Sequence, residues 1–85
     1  MAYFVYVLQS VVTGKYYIGS TENLKGRLDR HNRGRSKYTK SGKPWNLVYS
    51  EEYESRSDAV RRENELKSWK SRKRLEKLIA IKEKA

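Results

Sequence analysis

The sequence predicts an α/β fold, a small three-stranded and mainly antiparallel sheet flanked by helices, in one domain that spans residues 1–85. Three runs rich in aromatic and β-branched residues, at 3–10, 15–20 and 45–53, are typical of strands. The segments between and after them carry capping residues and apolar side chains one helical turn apart. Because a chain this short buries only about 60–65% of its unfolded surface, its aromatic residues must supply much of the core.

The first two runs are joined by the short turn at 11–14, which favours a hairpin. Pairing Gln9 with Gly14 places Tyr6 opposite Tyr17, so we expect both phenols on one face of the sheet. Since a one-residue shift would put them on opposite faces, their shared face depends on this register.

The segment 21–34 carries capping signals at both ends and is predicted to form a helix. Leu24 and Leu28 lie one turn apart and form its apolar stripe. Arg27 and His31 also lie one turn apart and form the adjacent stripe. We therefore expect the helix to pack through its leucines and to present Arg27 and His31 at the edge of the contact.

Residues 33–44 have no apolar periodicity and no acidic residue, which predicts a loop. The run at 45–53 that follows is the third predicted strand. Its alternation predicts that Leu47 and Tyr49 share one face of the sheet.

Two further helices are predicted after the third strand. Ala59, Val60 and Leu66 mark the buried stripe of the first, and Glu63 lies in the middle of that stripe. An unpaired buried carboxylate costs several kcal/mol, so we expect Glu63 to have a metal ion or an arginine as its partner. The last helix is expected to turn three apolar side chains inward: Leu75, Leu78 and Ile79.

The charge of the chain predicts a nucleic-acid partner. Twenty Lys and Arg against ten Asp and Glu give a formal net charge of +10, and a polyanion would relieve the resulting self-repulsion. Tyr38 is a candidate for stacking on a base. The basic residues expected to contact phosphates are Arg33, Arg35, Lys37, Lys40, Lys43, Lys67, Lys70, Arg72, Lys73 and Arg74.

The composition excludes several classes of site. The chain has no cysteine, which excludes disulfides and thiolate metal sites, and its single histidine excludes a His-cluster zinc site. The apolar start at 1–10 is too short to span a membrane and lacks a basic leader. We therefore expect a soluble cytoplasmic protein with no membrane partner.

These residues resemble the motifs of the GIY-YIG nucleases. Residues 4–6, Phe-Val-Tyr, stand in the first triplet, and Tyr17-Ile18-Gly19 reproduce the second in full, with Gly19 as its motif glycine. The segment 23–32 is similar to the family's Arg and His segment, and 59–67 to its Glu helix. The resemblance covers nearly the whole chain and points to the small stand-alone bacterial members, the YhbQ-like (UPF0213) group.

The resemblance implies a metal-dependent endonuclease that hydrolyses DNA phosphodiester bonds, with a role in DNA repair or processing. It implies that Glu63 holds a divalent metal, Mg²⁺ or Mn²⁺, and that Arg27 neutralises the scissile phosphate. Tyr6 would take a proton from the attacking water, which requires nearby cations to lower its phenol pKa from about 10. Tyr17 and His31 would orient water and phosphate. Such modules typically borrow specificity, so a protein partner or an appended specificity factor is compatible with this interpretation.

Each of these residues also has an ordinary structural explanation. Strand tyrosines are usually packing residues, and a histidine near a helix end is commonly a surface or capping residue. Arg27 could be solvated, or Glu63 could form a structural ion pair with it. The alternative functions are a basic nucleic-acid-binding protein without useful cleavage and an interaction protein whose charge serves an acidic protein partner.

Overall fold

The computed structural model describes residues 2–34 and 40–84. Within these residues the strands are β1 (Tyr3–Ser10), β2 (Tyr16–Thr21) and β3 (Trp45–Tyr53), and the helices are α1 (Leu24–Asn32), α2 (Arg56–Ser68) and α3 (Arg72–Lys84). The strands form one sheet in the order β2-β1-β3, and both neighbouring pairs are antiparallel. The predicted α/β fold, an antiparallel sheet of three strands flanked by helices, is confirmed.

The sheet lies between two helical layers, with α2 and α3 on its first face and α1 on its second. Because both faces of the central strand β1 are covered, residues 5–8 are buried in succession instead of in alternation. The core on the first face contains Val5, Val7, Tyr49, Ala59, Leu66, Leu75 and Ile79. The core on the second face contains Tyr6, Leu8 and Trp45, with Tyr17, Leu24 and Leu28 packed against them.

The hairpin register differs from the predicted one by two residues. Gln9 pairs with Tyr16 and not with Gly14. The cause is the turn, where Ser10 Oγ accepts a hydrogen bond of 2.9 Å from the amide of Thr13. This local bond holds a longer connection between the strands than the sequence pattern predicted.

The two-residue shift leaves Tyr6 and Tyr17 on the same face of the sheet. Tyr6 lies opposite Gly19, and Tyr17 lies opposite Leu8. Since side chains alternate with a period of two, a shift of two residues preserves the face that each one occupies. The two rings are diagonal neighbours with centroids 6.3 Å apart. The predicted shared face is therefore confirmed, although the predicted direct pairing is wrong.

A β-bulge at Val48 separates Leu47 from Tyr49. Val7 pairs with Tyr49 and Leu8 pairs with Leu47, which leaves Val48 as the extra residue. Tyr49 therefore lies on the first face, where it is 8% exposed, and Leu47 lies on the second, where it is 39% exposed. The prediction that Leu47 and Tyr49 share a face is wrong because strict alternation does not hold across a bulge.

Side-chain caps start the two helices that carry site residues. Asn23 Oδ1 accepts a hydrogen bond of 3.0 Å from Gly26 N before α1, and Ser55 Oγ accepts one of 3.2 Å from Asp58 N in α2. Gly34, with a φ of 74°, follows the end of α1 in a conformation that favours glycine, as the sequence predicts. None of the helices in the described residues is long and apolar enough to cross a bilayer.

The apolar stripe of α2 is narrower than predicted. Ala59 and Leu66 are buried, whereas Val60 is 38% exposed. Glu63 lies one turn after Ala59 and one turn before Leu66, so it remains on the buried side of the helix. The three predicted inward residues of α3 do face the core, with Leu75 and Ile79 buried and Leu78 packed against them.

The predicted loop at 33–44 contains a 3₁₀ turn at Lys40–Gly42. Arg35, Lys37 and Tyr38 lie outside the described residues, as does the side chain of Lys40. Asn32 joins the two ends of this segment, since its Nδ2 donates to Trp45 O at 3.1 Å and its Oδ1 accepts from Trp45 N at 2.5 Å. The end of α1 is thereby fixed to the start of β3.

Candidate active site

Tyr6 lies on the second face of the sheet, and its ring crosses β2 at Gly19. A Cβ atom on Gly19 would lie 2.5 Å from Tyr6 Oη and 2.6 Å from its Cζ. Tyr6 is 2% exposed, so the ring has no open space into which it could move. Glycine at position 19 is therefore a steric requirement of the Tyr6 ring.

His31 covers the same face from α1. Its Nε2 lies 3.3 Å from Tyr6 Oη, and its ring centroid lies 4.8 Å from that of Tyr17. His31 is 2% exposed, so the prediction that it lies at the edge of the contact is wrong, and so is the surface or capping alternative. The reason is helical spacing: Leu24, Leu28 and His31 follow one another as i, i+4 and i+7, so the histidine completes the leucine stripe.

Burial keeps both groups of this pair uncharged at pH 7. Desolvation, followed by the neighbouring Tyr17, raises the pKa of Tyr6 to about 12, although the Arg27 guanidinium acts in the opposite direction. Desolvation also lowers the pKa of His31, and the charges of Arg27 and Arg30 lower it further. Nearby cations were expected to lower the phenol pKa of Tyr6, but Arg27 alone does not do so because burial outweighs it.

Arg27 lies one turn before His31 and is half-buried. Its guanidinium donates a hydrogen bond to the Tyr6 hydroxyl, and its positive charge also acts on that group. It also lines a cleft of about 220 Å³, together with Ser20 and Thr21 of β2 and residues at the start of α2. Arg27 therefore lies within reach of Tyr6, and His31 lies within reach of both tyrosines.

Glu63 approaches from α2, on the other side of the sheet. Its Oε1 accepts a hydrogen bond of 2.5 Å from Ser20 Oγ, and its Oε2 lies 2.6 Å from Lys67 Nζ. The structural ion pair considered with Arg27 is formed with Lys67 instead. The Glu63 side chain is 17% exposed, and its charge is close enough to Tyr6 to contribute to the raised phenol pKa. The candidate site therefore spans both faces at one end of the sheet.

A divalent metal of the kind that the sequence suggests requires oxygen ligands from the protein. Within the described residues no three His, Cys, Asp or Glu side chains form a group that could hold an ion. Mg²⁺ in phosphoryl-transfer sites commonly keeps several waters and is bound through one or two carboxylates and the substrate phosphate. Glu63 is one partly buried carboxylate whose partner Ser20 lines the cleft with Arg27, so it fits that mode of binding and would be the protein ligand of the ion.

The residues predicted to bind phosphates do not form one surface. Lys70 and Arg72 line a groove between β2 and the α2–α3 junction. Arg33 is exposed and pairs with Asp29 at 3.0 Å, and Lys43 is exposed before β3. Three further residues were predicted to contact phosphates: Arg35, Lys37 and Lys40. Arg35, Lys37 and the side chain of Lys40 lie outside the described part of the chain.

The sequence prediction missed Ser20, and it named Lys67 as a phosphate contact but not as the partner of Glu63. Lys67 follows Glu63 by four residues, so the ion pair could have been inferred from helical spacing. Strand alternation places Ser20 on the face opposite Tyr17 and Gly19, but its contact with Glu63 depends on how α2 packs. No pattern within β2 alone predicts that contact.

Comparison with known proteins identifies the class of this fold and site. Residues 2–77 match the GIY-YIG catalytic domain, and the chain belongs to this nuclease family. UPF0213 proteins of Staphylococcus aureus strains Mu3 and N315 are 40% identical over 75 residues, which is 87% of this chain and 90% of theirs. The solution NMR structure of a UPF0213 protein from Bacillus halodurans matches with a TM-score of 0.62 and 34% identity, over 96% of this chain and 86% of that one. Within the family, the chain is a member of the UPF0213 group.

Membership of this family supports two general conclusions about substrate and metal. A GIY-YIG nuclease domain implies a nucleic-acid substrate, and GIY-YIG nucleases are generally metal-dependent. The names of the UPF0213 relatives state no activity.

Replacing Gly19 with alanine tests the steric requirement of Tyr6. We expect Gly19→Ala to lower the free energy of unfolding by about 1–3 kcal/mol, since the new methyl group overpacks a buried ring. In a Tyr6→Val background the shorter side chain leaves room, so the same substitution should cost much less. Urea denaturation of the four proteins measures this coupling. An equal cost in both backgrounds would show that Gly19 is required for another reason.

Acidification tests the buried neutral imidazole. The pKa of His31 is lower in the folded chain than in the unfolded chain, where it is about 6.5. The unfolded chain therefore binds more protons below that pH, and the free energy of unfolding should fall as pH falls from about 6.5, by at most about 1.4 kcal/mol per unit. Because the chain has one histidine, His31→Gln should remove this slope between about pH 5.5 and 7. An unchanged slope in the variant would contradict a buried neutral His31.

Proposed function

We propose that this chain is a divalent-metal-dependent endonuclease that hydrolyses phosphodiester bonds in DNA. The observation that carries the proposal is the convergence of a buried phenol, an imidazole, a guanidinium and a carboxylate at one end of the sheet. Tyr6, His31 and Arg27 contribute from β1 and α1, and Glu63 contributes from α2. Packing alone gives no reason for a guanidinium and a carboxylate to act on the same buried phenol.

In the proposed reaction, Arg27 binds the scissile phosphate. Its position between the sheet and the cleft reduces its contact with water, which strengthens its interaction with the developing negative charge. Tyr17 lies against Tyr6 and His31, and we assign it to the orientation of the attacking water.

Tyr6 and His31 act together as the base in this proposal. With a pKa of about 12, only about one Tyr6 phenol in 10⁵ is ionised at pH 7, so a pre-formed phenolate is a poor base. His31 is neutral at that pH, and with Nε2 unprotonated it can accept the phenol proton. Tyr6 Oη takes a proton from the attacking water as its own proton passes to His31, while the water oxygen bonds to phosphorus and the leaving oxygen departs.

We assign Glu63 as a ligand of the divalent metal, Mg²⁺ or Mn²⁺. The metal would supply positive charge to the phosphate and to a bound water. Ser20 holds one carboxylate oxygen at 2.5 Å and thereby fixes the orientation of the group. The other oxygen faces the Lys67 ammonium, which is 49% exposed in its side chain and able to move toward solvent.

A nucleic-acid-binding protein without useful cleavage is the second candidate. One observation favours it: the Lys67 ammonium lies 2.6 Å from Glu63 Oε2, on the side where an ion would bind. Under this alternative Lys67 retains its place in the presence of Mn²⁺.

Incubation of the wild type with branched, nicked and single-stranded DNA, with Mg²⁺ or Mn²⁺, separates the two candidates, because the endonuclease cuts at least one of these substrates. A role in DNA repair or processing would follow from a preference for branched or nicked DNA.

Replacing Glu63 with glutamine tests the metal assignment. We expect Glu63→Gln to change the free energy of unfolding by less than about 1 kcal/mol, since glutamine can keep the Ser20 hydrogen bond and a half-exposed Lys67 pair contributes little. DNA binding should survive. The Mn²⁺-dependent rise in Tm and all cleavage should be lost together.

Glu65→Gln is the matched control, because it makes the same change on the same helix at a carboxylate that is 52% exposed. It should retain both the Mn²⁺ response and cleavage. Cleavage at the wild-type rate by Glu63→Gln would overturn the assignment. A metal-independent loss of about 3–5 kcal/mol would instead mark Glu63 as a structural charge and favour the binding-only function.

A further inference from the structure

The outer edge of β2 borders a groove that is distinct from the cleft lined by Arg27. Since the strand order is β2-β1-β3, one side of β2 has no neighbouring strand within the described part of the chain. On this side Lys15, residues 16–18 of β2 and residues at the α2–α3 junction enclose about 530 Å³, here called the β2-edge groove. We propose that the β2-edge groove binds an unpaired nucleic-acid strand. Cleavage of that strand rests on the proposed function, whereas its binding does not.

The floor of the groove is apolar and its rim is basic. Ile18, Leu66 and Leu75 form the floor. A duplex keeps its bases stacked inside and presents mainly phosphates, so it would leave such a floor uncovered. An unpaired strand can turn base faces to an apolar floor while its phosphates reach cations at the rim. The rim cations are Lys15, Lys67, Lys70 and Arg72.

Arg72 provides a fixed planar surface at the rim. Its guanidinium lies 5.0 Å from the centroid of the Tyr16 ring. Bonds of 3.0 Å to Gly14 O and 2.8 Å to Glu76 Oε1 hold it there. The side chain is nevertheless 55% exposed. Arginine planes held in this way are surfaces on which unpaired bases stack.

The backbone conformation of Lys70 is an independent observation in favour of binding in the groove. Its φ is 50°, which lies in the left-handed region where a side chain is strained and glycine is not. The position joins α2 to α3, where glycine is the usual residue. A lysine there costs conformational energy, which indicates that its exposed ammonium at the rim serves a purpose other than folding.

Lys67 connects the groove with the candidate active site. It lines the groove and also pairs with Glu63 at 2.6 Å. A strand that lies in the groove therefore runs close to the carboxylate assigned to the metal. A phosphate of that strand can also take Lys67 as its partner in place of Glu63.

Replacing Lys70 with glycine tests the groove. Binding of a fluorescent oligothymidine of about ten nucleotides is measured by anisotropy in EDTA, so that neither cleavage nor metal contributes. We expect Lys70→Gly to weaken binding roughly fivefold and to reduce the log–log salt slope by about 0.7, the loss of one phosphate contact on a single strand. Its Tm should not fall, because glycine relieves the strained backbone.

Lys77→Ala is the matched control, since it removes one charge from an exposed position of α3 outside the groove, and it should leave affinity and slope unchanged. Lys15→Gln, on the opposite wall, should reproduce the Lys70→Gly loss and protects the test from any folding defect in that variant.

The wild type should bind the oligothymidine more tightly than a duplex or an abasic strand of equal length. The proposal is overturned if Lys70→Gly and Lys77→Ala weaken binding equally, if the duplex or abasic strand binds as tightly, or if a polyglutamate peptide competes as well as the oligonucleotide. Because metal is absent, none of these results depends on whether the chain cleaves DNA.

Discussion

The close approach of the Tyr6 ring to the backbone of Gly19 is the constraint on which the candidate site depends. The ring passes where a Cβ atom would lie 2.5 Å from its hydroxyl. This contact is compatible with one register of the hairpin, in which Tyr6 faces Gly19. It places the phenol oxygen under α1, within 3.3 Å of His31 Nε2. The glycine of the second motif triplet thus acts by permitting a tyrosine of the neighbouring strand to cross it.

Burial then determines the charge state of the site. The covering helix removes both Tyr6 and His31 from water, which raises the pKa of the phenol to about 12 and lowers the pKa of the imidazole. The pair is therefore uncharged, and Arg27 supplies the positive charge beside it. The acidic group is kept apart, since Ser20 and Lys67 hold Glu63 on the other face of the sheet. In the proposed reaction, a substrate phosphate at Arg27 would therefore meet a cation beside an uncharged phenol–imidazole pair.

The positions of strands and helices could be predicted from the sequence, because hydrophobic period and capping residues are local signals. The shared face of Tyr6 and Tyr17 was also predictable. The predicted register was wrong by two residues, but a shift of two residues leaves each side chain on the same face of the sheet. The bulge at Val48 was not predictable, since it depends on how β1 and β3 fit between two helical layers.

The electrostatics of the site were less accessible to sequence reasoning. His31 at i+7 from Leu24 could have been assigned to the buried stripe, but its polarity favoured an edge position. The raised pKa of Tyr6 follows from that burial and was missed with it. The contact between Ser20 and Glu63 joins residues 43 positions apart, so it depends on tertiary packing.

The dependence of the cleavage rate on pH tests the central claim most directly, namely that neutral Tyr6 passes its proton to His31. If His31 is the final acceptor, the rate should rise to a plateau by about pH 7 and remain flat to about pH 9, since the imidazole is already neutral and the phenol need not ionise beforehand. If Tyr6 must first become a phenolate, the rate should increase about tenfold per pH unit through the same range, because its pKa lies far above it. A flat profile is the expected result, and a continuous tenfold rise per unit would contradict the account.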